Sequence, residues 1–364
     1  MQSLQDTIDR LAAFEPVDLP VISLYLNMQP DEQGRDRFDA FVRKELAART
    51  ATYLEGSAER ASLEQDAERI REYLSTEVRP SANGLAIFAC AGADGFFEVV
   101  QLDAPVDEHR LYLYNQPHLY HLARLQDQFP RYAAVVLDSN QARIFVFELG
   151  ERVGGHTIRN EKPKHHKQGG WSQKRYQRHT ENVHLKHAKE VVDVLARLVR
   201  QEGIEHVVLA GDAVIIPTLR DQLTQELADK VVDVLSLDIR TPEHEVLQAT
   251  LDAVREQDAK QDADTVQRVL DGYRSGGLGV VGVRATLEAL TRGQVDELVI
   301  STVFELQRPA PADLPPGVDL PQDVDLADEL VTRARATGAT VTFIEDASLL
   351  DAAGGVGALL RFTL

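Results

Sequence analysis

The sequence predicts a multi-domain protein of α+β and α/β type in three successive parts. These are an N-terminal α+β domain over 1–129, a middle α/β domain over 130–258 that carries a Gly-Gly-Trp-Ser-Gln loop, and a C-terminal α/β domain over 259–364. Three observations carry that expectation. The chain's 364 residues exceed a typical single domain of roughly 100–200 residues. Its 43% hydrophobic and 27% charged residues are ordinary for a globular chain that buries cores, and they argue against global disorder. Short runs of branched and aromatic residues alternate with amphipathic stretches along its length.

In chain order, Met1–Pro16 reads as a short amphipathic helix and Pro20–Met28 as a strand, followed by charged helical sequence from Arg35 to Leu74. Strands are expected at Leu85–Ala91, Phe96–Leu102 and Arg110–Tyr114, separated by Gly- and Asp-containing turns, and a helix at His118–Phe129 leads to Pro130. The middle part opens with a hairpin-like pair, Ala133–Leu137 and Arg143–Glu148, joined by the turn formers Asp138-Ser139-Asn140. Polar loop sequence then runs to Gly170. From Gln173 to Gln201 the pattern is helical, with Leu185, Ala188, Val192, Leu195 and Val199 along one stripe and Arg175, Arg178, Lys186 and Lys189 near a common solvent-facing one. Strand His206–Gly211, helix Val214–Leu227 and strand Val231–Leu237 complete it. Glu243–Tyr273 reads as one or two helices crossing to the last part, which holds a helix at Arg284–Leu290 and strands at Glu297–Ser301, Thr340–Ile344 and Ala358–Phe362. The stretch Arg308–Pro321, rich in proline, is expected to be an extended surface loop.

The only cysteine is Cys90, so neither an intramolecular disulfide nor a thiolate zinc cluster can form, which fits a reducing compartment. The N-terminus carries acids among its apolar residues, unlike a secretory signal, and no run approaches the roughly 18 apolar residues of a membrane span. A cytoplasmic protein outside the bilayer is expected. The formal net charge of -19 argues against generic attraction to phosphate. That average hides a reversal. Between His156 and Lys189 stand nine bases (Arg159, Lys162, Lys164, Lys167, Lys174, Arg175, Arg178, Lys186, Lys189) against Glu161 and Glu181, a local +7 that leaves -26 for the remainder. Six of the 11 histidines share the window.

Within it, Lys162-Pro163-Lys164-His165-His166-Lys167-Gln168-Gly169-Gly170-Trp171-Ser172-Gln173 joins backbone freedom, positive charge and the chain's only tryptophan. Two readings stand side by side. The indole of Trp171 stacks on a nucleobase while the bases contact phosphate, or it folds back as a local anchor under a solvated loop. Other patterns point less far. Gly277-Leu278-Gly279-Val280-Val281-Gly282 matches the dinucleotide fingerprint in letters, but it follows the helical run Val266–Arg274 rather than a strand, so a glycine-rich connection between helices is expected. His184 and His187 at i and i+3 suggest metal, yet acid ligands are scarce and the surrounding cations oppose a divalent ion, so no metal is assigned. No Ser–His–Asp convergence is readable from the sequence.

The run Gly169-Gly170-Trp171-Ser172-Gln173-Lys174-Arg175-Tyr176, followed directly by a basic helix, resembles the Gly-Gly-Gln-Ser-Ala-Gln-Arg-Phe of the archaeal and eukaryotic class I peptide-release-factor superfamily, which includes Pelota and bacterial homologues. Pro20–Met28 is similar to the first strand of that family's N-terminal domain and Tyr132–Glu148 to the entry of its middle domain. Gly279–Ile300 with Gly355–Phe362 is similar to its C-terminal domain. The resemblance implies a three-domain release-factor-like architecture and a ribosome-associated translation factor that needs no cofactor. It also implies that the middle-domain loop enters the peptidyl-transferase centre, against ribosomal RNA and P-site tRNA, with a translational GTPase as a partner. There a Gly-Gly-Gln turn positions water against the peptidyl-tRNA ester, which carries a catalytic role to Gly169, Gly170 and Gln173. RNA contact falls to Trp171, Ser172, Lys162, Lys164, Lys167, Lys174, Arg175, Arg178, Lys186 and Lys189. In an ungapped alignment Trp171 stands at the family's glutamine position and Gln173 two residues later, and the first domain lacks the Asn-Ile-Lys-Ser of stop-codon reading. Three activities therefore stay open: peptidyl-tRNA hydrolysis in ribosome rescue, non-catalytic occupation of the ribosome in hibernation, and cleavage near the tRNA 3′ end in quality control.

Overall fold

The computed structural model describes residues 4–30, 38–159, 173–306 and 325–363. They form a mixed α/β fold with three sheets, gathered into two compact units: 1–128 together with 259–364, and 129–258.

In the first unit, β1 (Val21–Asn27) lies between β2 (Gly84–Cys90) and β4 (Arg110–Tyr114), with β3 (Phe96–Leu102) outermost, in an antiparallel order β3-β2-β1-β4. β1 and β2 are buried along nearly their whole length, as central strands should be, and Ile22, Leu24, Leu26, Leu85, Ile87 and Ala89 pack against α2 (Phe38–Thr50) and α3 (Ala58–Thr76) through Val42, Leu46, Leu63 and Ile70. The charged helical stretch is thus two helices. Ser57 ends the break between them, accepting the Arg60 amide as the N-cap of α3. α1 (Leu4–Ala12) and α4 (Tyr120–Gln128) also belong to this unit.

The same unit holds a second sheet of order β10-β13-β11-β12, in which β11 (Val295–Ser301) and β12 (Thr340–Ile344) are parallel and the other pairs antiparallel. The glycine-rich run is not a simple helix connection. It contains the short strand β10 (Gly279–Val281), and α9 (Val283–Thr291) starts after Gly282. β13 (Val356–Leu360) begins two residues earlier than the sequence pattern suggests, and α10 (Leu326–Ala336) is a helix the pattern did not disclose.

The second unit is built on β5 (Tyr132–Leu137), the centre of a mixed sheet of order β7-β6-β5-β8-β9. β5 pairs antiparallel with β6 (Gln141–Glu148) and parallel with β8 (His206–Gly211), which pairs in turn with β9 (Val231–Leu235). Alternate residues serve opposite faces. Ala133, Val135 and Leu137 join the core under α5 (Gln173–Glu202) and α6 (Ile215–Arg220), while Tyr132, Ala134 and Val136 pack on Val246, Leu251 and Val254 of α8 (Glu243–Arg274). Cover on both faces explains why the strand reads as an uninterrupted apolar run. The helix expected at Val214–Leu227 is split into α6 and α7 (Gln225–Asp229), the latter capped by Thr224. The segment after β6 is not all loop either: Glu151–Arg159 forms the edge strand β7. Gly155 lies opposite Phe145 at φ +142°, and a Cβ there would stand 2.2 Å from the Ile144 carbonyl oxygen, so only glycine admits this approach.

Candidate nucleic-acid interface

The basic window runs from β7 into α5, and its two ends are set by different forces. β7 is pinned to β6 by backbone pairing alone over most of its length. Its side chains are exposed or half-buried except Ile158, and His156 and Arg159 face solvent. α5, about 45 Å long at 1.5 Å per residue, is held by its apolar stripe. Ala188, Val191, Val192, Leu195 and Val199 are all buried against β5, β6 and β8. Leu185, expected to start that stripe, is only half-buried.

Burial begins abruptly. The first wholly buried side chain is His187, and no described side chain from 178 to 186 is buried. The 14 residues from Gln173 to Lys186 span about 21 Å of helical backbone, a rod that ends at the first packed turn, with Val183, His184 and Leu185 half-buried just before it. Helix propensity and end effects hold such a rod less firmly than packing does. Its exposed bases are Arg178 and Lys186, with Lys189 following on the packed portion's solvent side. At 100° per residue these three span an arc of about 80° and a length of about 16 Å. The first turn of α5 contains no acid, so the positive end of the helix dipole is not offset by a carboxylate there.

The sequence-derived site residues fall into three groups. Arg178, Lys186 and Lys189 share the exposed side of α5. Gln173, Lys174 and Arg175 occupy its first turn, where the helical backbone is described. Gln173 is the first helical residue, so its N–H is among the four that no intrahelical carbonyl accepts. Lys162, Lys164, Lys167, Gly169, Gly170, Trp171 and Ser172 lie outside the described residues. Among the described residues no group of three or more His, Cys, Asp or Glu could hold a metal ion, and His187 is a buried core histidine. Among the same residues, no helix is long and apolar enough to cross a membrane.

A second polar cluster, in the first unit, was not foreseen. His118, stacked on Tyr112 and His121, lies against Asp325 and Asp328 of the α10 N-terminus. The available signal was Asp325 ahead of the apolar Leu326, Leu330 and Val331, a helix-start pattern.

The fold defines a multi-domain α/β protein whose middle unit projects a basic helix. A family model, "Bacterial archaeo-eukaryotic release factor family 10", matches residues 117–255, which include β5 to β9 and α5. Peptide chain release factor subunit 1 of Thermoplasma acidophilum is 24% identical over 383 residues, covering 94% of this chain and 90% of the relative. The Pelota homologue of Pyrococcus furiosus is 28% identical over 262 residues, 67% of each chain. Among solved structures, a model of ribosome-bound archaeal Pelota and ABCE1 aligns over 100% of this chain and 95% of that chain at 18% identity, with a TM-score of 0.45. Over residues 117–255 the chain matches that family's model, and along most of its length it is similar to archaeal release factors and Pelota.

Proposed function

We propose that this protein is a ribosome-associated translation factor of release-factor/Pelota type that hydrolyses peptidyl-tRNA in ribosome rescue. The observation that carries this reading is the Gly169-Gly170 pair set just ahead of α5, in which no described side chain from 178 to 186 is buried and whose exposed side bears bases. A loop mounted on such a rod reaches into a nucleic-acid cavity while the acidic remainder stays out. The chemistry asks little of the protein. Ribosomal RNA and tRNA surround the ester, and the loop contributes backbone N–H groups and the Gln173 amide to hold a water in line with the carbonyl carbon. Water attacks, the tetrahedral intermediate collapses, and the bond to the tRNA 3′ oxygen breaks to leave free peptide and intact tRNA. The superfamily's use of a translational GTPase extends to this chain as a partner under the same proposal.

Trp171 at the family's glutamine position favours a second reading, in which the indole stacks in the cavity and the factor occupies the ribosome without hydrolysis. Purified protein incubated with ribosomes carrying labelled peptidyl-tRNA separates the two. Hydrolysis yields free peptide and intact tRNA, and Gln173→Ala abolishes that product while sparing ribosome binding. Occupation without chemistry yields no product from either protein. Peptide on a tRNA fragment would instead assign 3′-end cleavage and refute both.

A further inference from the structure

α4 begins after Pro117-His118-Leu119, none of which is a Ser, Thr, Asp or Asn able to cap it. Its cap comes from 208 residues further along the chain. Asp328 Oδ1, in the first turn of α10, accepts the Leu119 amide at 2.6 Å and the Tyr120 amide at 2.9 Å. Asp325 meanwhile caps α10 itself, accepting the Ala327 amide at 2.9 Å. The His118 ring lies between the two acids, Nε2 3.5 Å from Asp325 Oδ2 and Nδ1 3.6 Å from Asp328 Oδ1. Two helix N-termini far apart in sequence are thus each capped by one carboxylate, Asp328 buried and Asp325 half-buried, around one imidazole.

The surroundings fix this arrangement. The His118 ring stacks on Tyr112 of β4 at 3.7 Å, its amide donates to Ser23 Oγ, and its carbonyl accepts the Tyr25 hydroxyl of β1 at 2.6 Å. Tyr120 meets Phe343 of β12 edge-on at 5.3 Å. The other charged and titratable groups near Asp328 are Tyr25, Tyr114, and the Glu329–Arg333 pair of α10. The phenols of Tyr25 and Tyr114 are raised above their ordinary value by burial and by the Asp328 charge, so they stay neutral through the range in which carboxylates and imidazoles titrate.

We propose that Asp325, His118 and Asp328 form a proton-responsive latch between the segments 1–128 and 259–364, one that closes more tightly as pH falls. Opening the junction returns Asp328 to water, whereas in the closed state burial pushes its carboxyl from 3.8 up to about 6, even with His118 and the two amides favouring its charge. The closed state therefore binds the proton more tightly, and its population rises as pH drops towards 5. His121 titrates the other way, since burial and the nearby His118, Arg110 and Arg124 hold its imidazole well below the usual value. The aromatic rings around it, Tyr25, Tyr112, Tyr120 and His118, belong to segment 1–128, so its cost is retained when the latch opens.

Hydrogen exchange on the full chain tests the latch at the amides of Leu119 and Tyr120, corrected for intrinsic exchange. For a carboxyl moving from 3.8 to about 6, protection should be about tenfold greater at pH 5.0 than at pH 7.5. Asp328→Asn keeps an acceptor for both amides without the proton, and its ratio should fall below threefold. Equal protection of the wild-type chain at both pH values, or an unchanged ratio in Asp328→Asn, would overturn the proposal. The wild-type comparison decides it even where a variant folds poorly.

Discussion

Removing the exposed bases of α5 together, as Arg178→Ala, Lys186→Ala and Lys189→Ala, isolates the electrostatic part of ribosome binding. All three side chains are exposed, and alanine suits a helix, so stability should change by no more than about 0.5 kcal/mol per site. Their span of about 16 Å along the helix is long enough for each of the three to meet a different phosphate of a nucleic-acid strand. Each phosphate neutralised releases condensed counterions, with a contribution of about 0.7 to the slope of log K against log salt for a single strand. If all three touch phosphate, the slope should fall by about 2, and the loss of affinity should be larger at 50 mM than at 200 mM salt. Binding to purified ribosomes by co-sedimentation over that range reads both quantities. A triple variant with weakened affinity and an unchanged slope would mean that these residues shape the helix rather than meet RNA. An unchanged affinity would remove the exposed side of α5 from the interface altogether.

Two further outcomes test the packing within each unit. Gly211 closes β8 at φ +147°, where a Cβ would stand 2.0 Å from the Leu137 carbonyl oxygen of the central strand, so Gly211→Ala should destabilise the second unit by about 3 kcal/mol or more in urea denaturation. Stability within 1 kcal/mol of the wild type would refute the close packing of β5 and β8. Asp66 of α3 accepts the Ala91 amide at 3.0 Å, and burial pushes its carboxyl up to about 6. Because that value is raised, its favourable contribution is full below about pH 4 and lost as pH rises through 6. The stability of the wild type relative to Asp66→Asn should therefore increase as denaturation is moved from pH 7 to pH 5, and a constant difference would sink this assignment.

The sequence disclosed those parts of the fold in which local pattern and tertiary environment agree. Tyr132–Leu137 reads as a buried strand because both faces are covered, and the three- and four-residue spacing from Ala188 to Val199 reads as a helix because its apolar side packs on that strand. β7 was hidden for the opposite reason. Glu151–Arg159 is an edge strand with Ile158 alone buried and Gly154-Gly155 at its centre, so no two-residue alternation marks it. α10 escaped because its opening residues, Asp325 and Asp328, look like solvated charge. Their partners, Leu119, Tyr120 and His118, are brought to them only by the tertiary fold. The bases of the candidate interface were legible as a stripe, and Arg178, Lys186 and Lys189 do lie exposed on α5. The stripe gave no hint of where burial starts along the helix, since Leu185 satisfies the spacing yet remains half-buried.

That starting point matters more to the proposed function than the count of bases. A chain with a net charge of -19 meets repulsion from RNA, and a cationic patch embedded in such a surface would have its field cancelled by neighbouring carboxylates. α5 avoids this by distributing its charges along its axis. Beyond Lys189, where the helix lies on the core, the exposed positions mix the acids Glu190 and Asp193 with Arg197 and Arg200, and Arg178 stands 15 residues before Asp193. That separation is about 22 Å along the helix, against a screening length of about 8 Å at physiological ionic strength. Over such a distance the carboxylates of the packed half scarcely weaken the field at Arg178, whose exposed acidic neighbour on the helix is Glu181, whereas Lys186 and Lys189 stand within one screening length of Glu190. The stretch from 178 to 186, in which no described side chain is buried, therefore sets Arg178 away from the carboxylates of the packed half, at a cost in helix stability.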